Sequence, residues 1–319
     1  MSIYLAALLG AYAVLMGILA DRVLTRATWT VVSPALALRA WHTCAFAFLS
    51  AIVCASAVLA HDPWDHLMVW LFHVNEPQIH AAYAWSAEVA PWWNGTVGIV
   101  LLLGALLLMS GAHHLRELRR TRAAHGLFAG KPAEINGLAG VYVMQSPQPA
   151  AYCVPGRRNK ARIVVTSGAI ELLTEAELRA TVEHERAHLR YRHHRGVLWS
   201  SLITRVMGRL GMLSNYADQV RRLSEMAADD HAAARVGPRQ VATALLTLCT
   251  VTPSPGGSRA LPMAGSHAAE RIHRLLEATA RPVVQLSQLL TVGSAAALIL
   301  LPLALVLGPA AALAGTRHG

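Results

Sequence analysis

The sequence predicts a mainly α protein: four transmembrane helices plus a cytoplasmic α+β domain with a small edge sheet. Three observations predict it. Hydrophobic residues make up 54% of the 319 residues and charged residues only 14%, where soluble domains carry about a quarter. Four stretches approach the roughly 20 apolar residues that a membrane crossing needs. The Lys and Arg residues gather on one side of those stretches.

The spans are expected at about Ile3–Ala20, Trp41–Ala60, Val97–Ala112 and Val283–Leu307. The first lacks the basic leader of a signal peptide and is followed by further spans, so it is read as a helix. Arg22, Arg26 and Arg39 lie between spans one and two, and Arg116, Arg119, Arg120 and Arg122 directly follow span three. Residues 61–96 contain no Lys or Arg but carry Asp62, Asp65, Glu76 and Glu88. The positive-inside rule then puts the N-terminus outside, the domain at 118–282 in the cytoplasm and the short tail outside, in the inner membrane of a cell. Of the 28 Lys and Arg only Arg317 faces outward. Topology therefore accounts for the net charge of +10, and no direct nucleic-acid partner is expected. The three first spans with the outer loop form residues 1–117, and the fourth with its tail residues 283–319. The outer loop, rich in Trp, Tyr and His, reads as an interfacial helix with an aromatic belt; a signal-receiving element is the alternative. Cys44, Cys54, Cys153 and Cys249 form no C-x-x-C pair and are expected to be reduced.

Within the cytoplasmic domain, residues 123–138 read as a connecting loop. Strands are expected at 140–146, 151–154 and 161–167, with a turn between the last two. Thr174 and Glu177 form a capping box ahead of an amphipathic helix, which should run to about His194, before Gly196. That helix carries "HERAH", so His184 and His188 share one face, one turn apart.

Two imidazoles at that spacing can hold one zinc ion, and the adjacent Glu185 can take a proton from the attacking water as general base. The alternative is a solvated basic helix face, which the run Arg190–Arg195 supports for its own residues. A third ligand has two candidates. His194 stands at the spacing H-E-x-x-H-x-x-G-x-x-H, but Tyr191 replaces the glycine, and an unbroken helix points residue 194 away from the ligand face. Glu225, in "SEMAADDHAAA", has Asp229 one turn later. It would close a two-histidine, one-glutamate site with a fourth position open, and Asp229 would fix a ligand histidine's tautomer. The alternative there is an exposed acidic patch.

"RIVVTSGAIELLTEAELRATVEHERAH" is similar to the zinc-helix segment of gluzincin membrane peptidases, the HtpX and CAAX prenyl protease group and the BlaR/MecR antirepressors. "SEMAADDHAA" resembles their second zinc helix. The order of spans looks more like the BlaR/MecR group. HtpX-type proteins tend to place a transmembrane hairpin between the two zinc motifs; here residues 197–213, with Arg205 and Arg209, read as an amphipathic or partly embedded helix. The resemblance implies His184, His188 and Glu225 as zinc ligands, Glu185 as general base and Asp229 behind them. "SHAAERIHRLL" is similar to an HtpX-like element that brings a basic residue to the active site, which would match Arg271 and also His267; an amphipathic surface helix is the alternative. The antirepressors carry an extracellular penicillin-binding domain after the last span, and none follows here, so direct β-lactam acylation is not expected.

The resemblance implies a zinc endopeptidase whose cytoplasmic substrate is a BlaI/MecI-like repressor. The competing expectations are an HtpX-like quality-control protease acting on membrane proteins, and a non-catalytic sensor in which zinc is structural. An extended substrate would pair with an edge strand such as "AYCV", and the loop at 252–266 would gate the cleft. The oligomeric state is not legible.

Overall fold

The computed structural model describes residues 2–59, 61–73, 77–79, 104, 111–112, 116, 132–135, 138–154, 161–251, 267–277 and 285–315. Most of span three and most of the outer loop lie outside these residues, as do the turn before the last predicted strand and the proposed gating loop.

Helix α1 (Ser2–Leu19) continues into a π-helical turn, Ala20–Leu24. The single turn α2 (Trp29–Val32) leads into α3 (Pro34–Leu59), which starts seven residues before the expected span. Pro34 fits there because the N–H of a first-turn residue has no acceptor within the helix, so proline forfeits no bond. Two stretches, Tyr4–Leu24 and Pro34–Val58, are long and apolar enough to cross a membrane. Helix α4 (His61–Phe72) follows, and α11 (Gln285–Gly315) covers the fourth predicted span from residue 285 on. Within α11 the apolar stretch Ala297–Ala312 falls short of a full crossing among the described residues. Leu9, Cys54, Val58, Met68 and Val306 pack α1, α3, α4 and α11 into one cluster.

The sheet has four strands in the order β1-β2-β4-β3: β1 (Pro132–Ile135), β2 (Leu138–Met144), β3 (Ala151–Val154) and β4 (Arg162–Thr166). β1 corrects the reading of 123–138 as a connecting loop. Its sequence, "PAEI", lacks strand alternation, and it holds its place as an antiparallel edge with an irregular register against β2. β2 and β4 are parallel, and β3 is the opposite edge, antiparallel to β4. Thr166 caps α5 (Ser167–Leu172), where a side chain on Gly168 would meet the Pro147 carbonyl oxygen at 2.3 Å.

Helix α6 (Glu175–Arg190) starts with the expected Thr174–Glu177 capping box. It ends four residues earlier than expected. Tyr191 and Arg192 make a turn, Arg192 adopts a left-handed φ of 55°, and α7 (His193–Met207) begins anew. The turn does without the glycine that usually occupies such a position. After a 3₁₀ turn, Gly208–Leu210, come α8 (Tyr216–Val236), α9 (Pro238–Val251) and α10 (Ala268–Leu276).

Helix α8 joins the two halves. Tyr216, Val220, Leu223 and Met226 pack into one core with Met16, Trp41 and Phe48 of α1 and α3. Ala232 packs into the other, with Val141, Ile163 and Val165 of the sheet and Leu178 and Val182 of α6. All four cysteines are free thiols.

Candidate metal centre

His184 and His188 lie on the face of α6 turned toward α8. Their Nε2 atoms are 3.1 Å apart. Across the gap, Glu225 of α8 places Oε2 at 3.3 Å from His184 Nε2 and Oε1 at 3.4 Å from His188 Nε2. The three side chains offer ligand atoms all within 4.8 Å of one another. Tetrahedral zinc, with ligands at about 2.0–2.1 Å, wants donor–donor separations of about 3.3 Å. The donor set fits zinc in type, number and spacing. Glu185 Oε1 is buried with no hydrogen-bond partner among the described residues, as expected of a group whose partner is a water; Glu225 Oε2 forms no aligned hydrogen bond, and its contacts are charged ones with His184 and Arg271.

Behind the ligands, Asp229 Oδ1 stands 3.0 Å from His184 Nδ1, within charge contact though not aligned as a formed hydrogen bond. Arg271 of α10 grips Asp229 with two contacts of 2.7 Å, from Nε and Nη2. Its Nη1 lies 3.1 Å from Glu225 Oε2. The guanidinium is 1% exposed, so "SHAAERIHRLL" is not merely a surface helix. Arg271 orients two carboxylates, one of them in the candidate donor trio. His267, just before α10, is half-exposed and lies 3.7 Å from Glu270; it is not one of the three converging donors. His194 is exposed on α7 and is not one of the three converging donors.

The charge pattern follows from this packing. Burial alone would lower the His184 pKa, but the Asp229 and Glu225 carboxylates outweigh it and push it up to about 9. Burial lowers His188 to about 3, the attraction of Glu225 notwithstanding. Both imidazoles face Glu225, yet they shift in opposite directions. Asp229, a second carboxylate, sets His184 apart, while the charges of His184, His193 and Arg271 push His188 further down. Burial would raise Glu225, but His184, His188 and Arg271 hold it below the usual carboxylate range. Glu185 is pushed up to about 7, by burial first and with a further push from Glu225.

Two neighbours escaped the sequence reading. His193, the first residue of α7, turns back so that its Nδ1 lies 3.1 Å from His188 Nδ1. The unexpected turn at Arg192 makes this contact. Cys153 of the edge strand β3 faces Glu185, and hydrogen bonding from its backbone and thiol favours the charged carboxylate. Burial pushes the Cys153 thiol well up, and the negative Glu185 adds to that. The 151–154 strand was legible, but not which of its residues meets the base.

Residues 115–218 match the model of Peptidase family M48. That stretch includes the "HERAH" helix and stops before Glu225, so the third donor comes from outside the matched residues. A protease HtpX homolog of Acidiphilium cryptum is 38% identical over 148 residues, 46% of this chain and 48% of that protein. A protease HtpX homolog of Ralstonia nicotianae is 34% identical over 110 residues, 33% of this chain and 37% of that protein. The plastoglobule-localized metallopeptidase 48 of Arabidopsis thaliana is 40% identical over 82 residues, 25% of this chain and 24% of that protein. The chain spans about half or less of the length of these relatives. No solved structure matches it. The likeness to Peptidase family M48 thus belongs to residues 115–218, the segment that contributes both histidines of the metal centre.

Proposed function

We propose that the protein is a zinc-dependent endopeptidase of membrane-gluzincin type, working at the cytoplasmic face of a membrane that α1, α3 and α11 help to span. The observation that carries the reading is the convergence of His184, His188 and Glu225, with the buried Glu185 beside them. The names of the similar proteins, proteases and a metallopeptidase, support the same chemistry.

Zinc at this site would supply a Lewis acid for the scissile carbonyl. Glu185, poised near neutrality, takes the proton of the attacking water and passes it to the leaving amine. Asp229 and Arg271 hold His184 and Glu225 in place. The outer edge of β3 offers unpaired backbone groups against which an extended peptide can lie.

Two substrate readings follow. The short α7 between the two metal-binding helices, in place of a transmembrane hairpin, favours an antirepressor that cleaves a BlaI/MecI-like repressor. The similarity to protease HtpX homologs favours turnover of membrane proteins. The test is purified full-length protein with casein, a candidate repressor from a neighbouring gene and a misfolded membrane protein, comparing the parent with Glu185→Gln. Zinc bound in both and cleavage in the parent alone supports the reading. Zinc bound with no cleavage of any substrate sinks it in favour of a structural metal. Trapping by Glu185→Gln separates the substrates: one repressor, or many membrane proteins.

A further inference from the structure

The segment that links the two metal-binding helices has an outward face that the peptidase chemistry does not use. One side of α7 is accounted for: Ile203 and Met207 are buried with Ala13, Met16, Trp41 and Phe48 of α1 and α3. Beside that buried face, one turn before Ile203, α7 exposes Trp199 (51%), and the following turn exposes Leu210 (62%). Arg195, Arg205 and Arg209 are exposed as well. Arg205 and Arg209 form no ion pair with any described residue. From residue 186 to residue 217 the chain has six arginines and no Asp or Glu.

The turn after α7 is fixed along α1 at two points. Leu213 N–H donates to the Gly17 carbonyl at 3.4 Å, and Met212 Cβ would lie 3.1 Å from a Cβ on Gly17. One turn further along, Asp21 accepts from Ser214 N–H at 2.7 Å and from Asn215 N–H at 3.0 Å. Gly17 lies inside the apolar stretch Tyr4–Leu24, two helical turns from its end, or about 10 Å at the usual rise. That is the depth, about 5–10 Å, at which interfacial helices rest their apolar side among headgroups and upper acyl chains. A segment that exposes Trp and Leu beside arginines suits that layer: the rings and aliphatic groups enter the lipid while the guanidinium groups reach round to the phosphates.

We propose that α7 and the turn Gly208–Leu213 form an interfacial membrane element that binds anionic phospholipid headgroups through Arg205 and Arg209, with Trp199 and Leu210 in the upper acyl region. The inference rests on reading α1 and α3 as membrane spans and is independent of the peptide chemistry. A nucleic acid or an acidic protein would also suit the arginines. Neither accounts for the exposed Trp199 and Leu210, or for a turn bonded inside an apolar stretch.

The test uses the full chain in phosphatidylcholine bilayers doped with a minority of phosphatidylglycerol. Spin-labelled lipids report the preference for phosphatidylglycerol over phosphatidylcholine, and lipids brominated near the carbonyl report on Trp199 by comparison with Trp199→Phe. The parent should prefer phosphatidylglycerol, and Arg205→Gln and Arg209→Gln should each weaken the preference about fivefold at low salt. The Trp199 emission should be quenched. Zinc content serves as the control for folding and should be unchanged in all variants. No headgroup preference, a preference untouched by both substitutions, or an unquenched Trp199 overturns the inference while leaving the peptidase reading intact. Failure of the chain to enter bilayers overturns both. Lost proteolysis with an intact lipid preference overturns only the peptidase reading.

Discussion

Glu225 and the pair behind it, Asp229 and Arg271, decide whether the two histidines of α6 make a metal site or a polar face. Glu225→Gln should abolish stable zinc binding while leaving the fold in place, read by metal content and thermal unfolding in detergent. Arg271→Met is a different case. It leaves Asp229 buried beside His184 but without the guanidinium that grips both its oxygens, and breaking such a pair from one side costs about 3–5 kcal/mol. Arg271→Met combined with Asp229→Leu should recover most of that stability but not the zinc affinity, because His184 loses its carboxylate. A double variant as unstable as Arg271→Met alone would show that the pair does more than cancel its own charges. His193 offers a parallel test. Its Nδ1 lies 3.1 Å from His188 Nδ1, and losing an outer partner of a ligand histidine typically weakens metal binding about 10–100-fold. His193→Ala should do so in a competition titration with a chromophoric chelator, and His193→Asn should restore part of it. The motif "HERAH" made the first two donors legible, since spacing along one helix is a local property. Arg271 and Asp229 were partly legible through their resemblance to known elements. His193 was not, because its contact depends on the left-handed turn at Arg192, which no glycine announces.

Helix α6 stands on a start signal that was fully legible. Thr174 and Glu177 bond reciprocally, and Thr247 of α9 donates to the same Glu177 side chain at 3.1 Å. A local cap thus also ties α6 to α9. Burial alone would raise the Glu177 pKa, but the hydrogen bonds from Thr174 and Thr247 outweigh it and leave it lowered. A lowered folded-state value means that the carboxylate stabilises the native state above its ordinary value of 4.5, and that this contribution is lost as pH falls through the lowered value. Thr174→Ala should cost about 1 kcal/mol at neutral pH. The difference between Thr174→Ala and the parent should shrink on acidification, measured as the shift in thermal midpoint across a pH series. A difference that stays constant would remove Glu177 from the cap. The start of α6 obeys rules of sequence neighbours, and the sequence reading found it. Its end does not: the chain turns through a left-handed Arg192, and the helix that follows packs Ile203 and Met207 against α1 and α3, far away in sequence. β1 escaped for a similar reason, since "PAEI" becomes a strand only by pairing with β2.

At the scale of the whole molecule, α8 belongs to two cores at once. Its first half is buried with Trp41 and Phe48, and its last turns with the sheet and α6. Tyr216 stacks on Trp41 with centroids 5.9 Å apart, and its hydroxyl lies 2.5 Å from His42 Nδ1. Asp21, in the π-helical turn that ends α1, accepts from Ser214 and Asn215 at the start of α8. Glu225 lies about two and a half turns further along that same helix. Arg274 adds a second tie, donating from Nε to the Val31 carbonyl at 2.8 Å while Nη2 meets Asp230 at 2.5 Å. Displacing α8 along or about its axis would therefore carry Glu225 relative to the histidines of α6. If the helix transmits in this way, metal and apolar bundle must stabilise each other. Zinc at about a thousandfold excess over its dissociation constant contributes about 4 kcal/mol to a state that alone binds it. Chelation should then lower the unfolding temperature reported from Trp41 in the apolar bundle as well as that of the sheet domain, in one transition. Asp21→Ala removes the three hydrogen bonds that seat the start of α8 without touching a ligand. It should leave zinc content intact but split the melt, so that chelation moves the domain transition and no longer the bundle's. A bundle transition that ignores chelation in the parent would mean that α8 is a strut shared by two independent cores, and the coupling from membrane helix to metal ligand would fall.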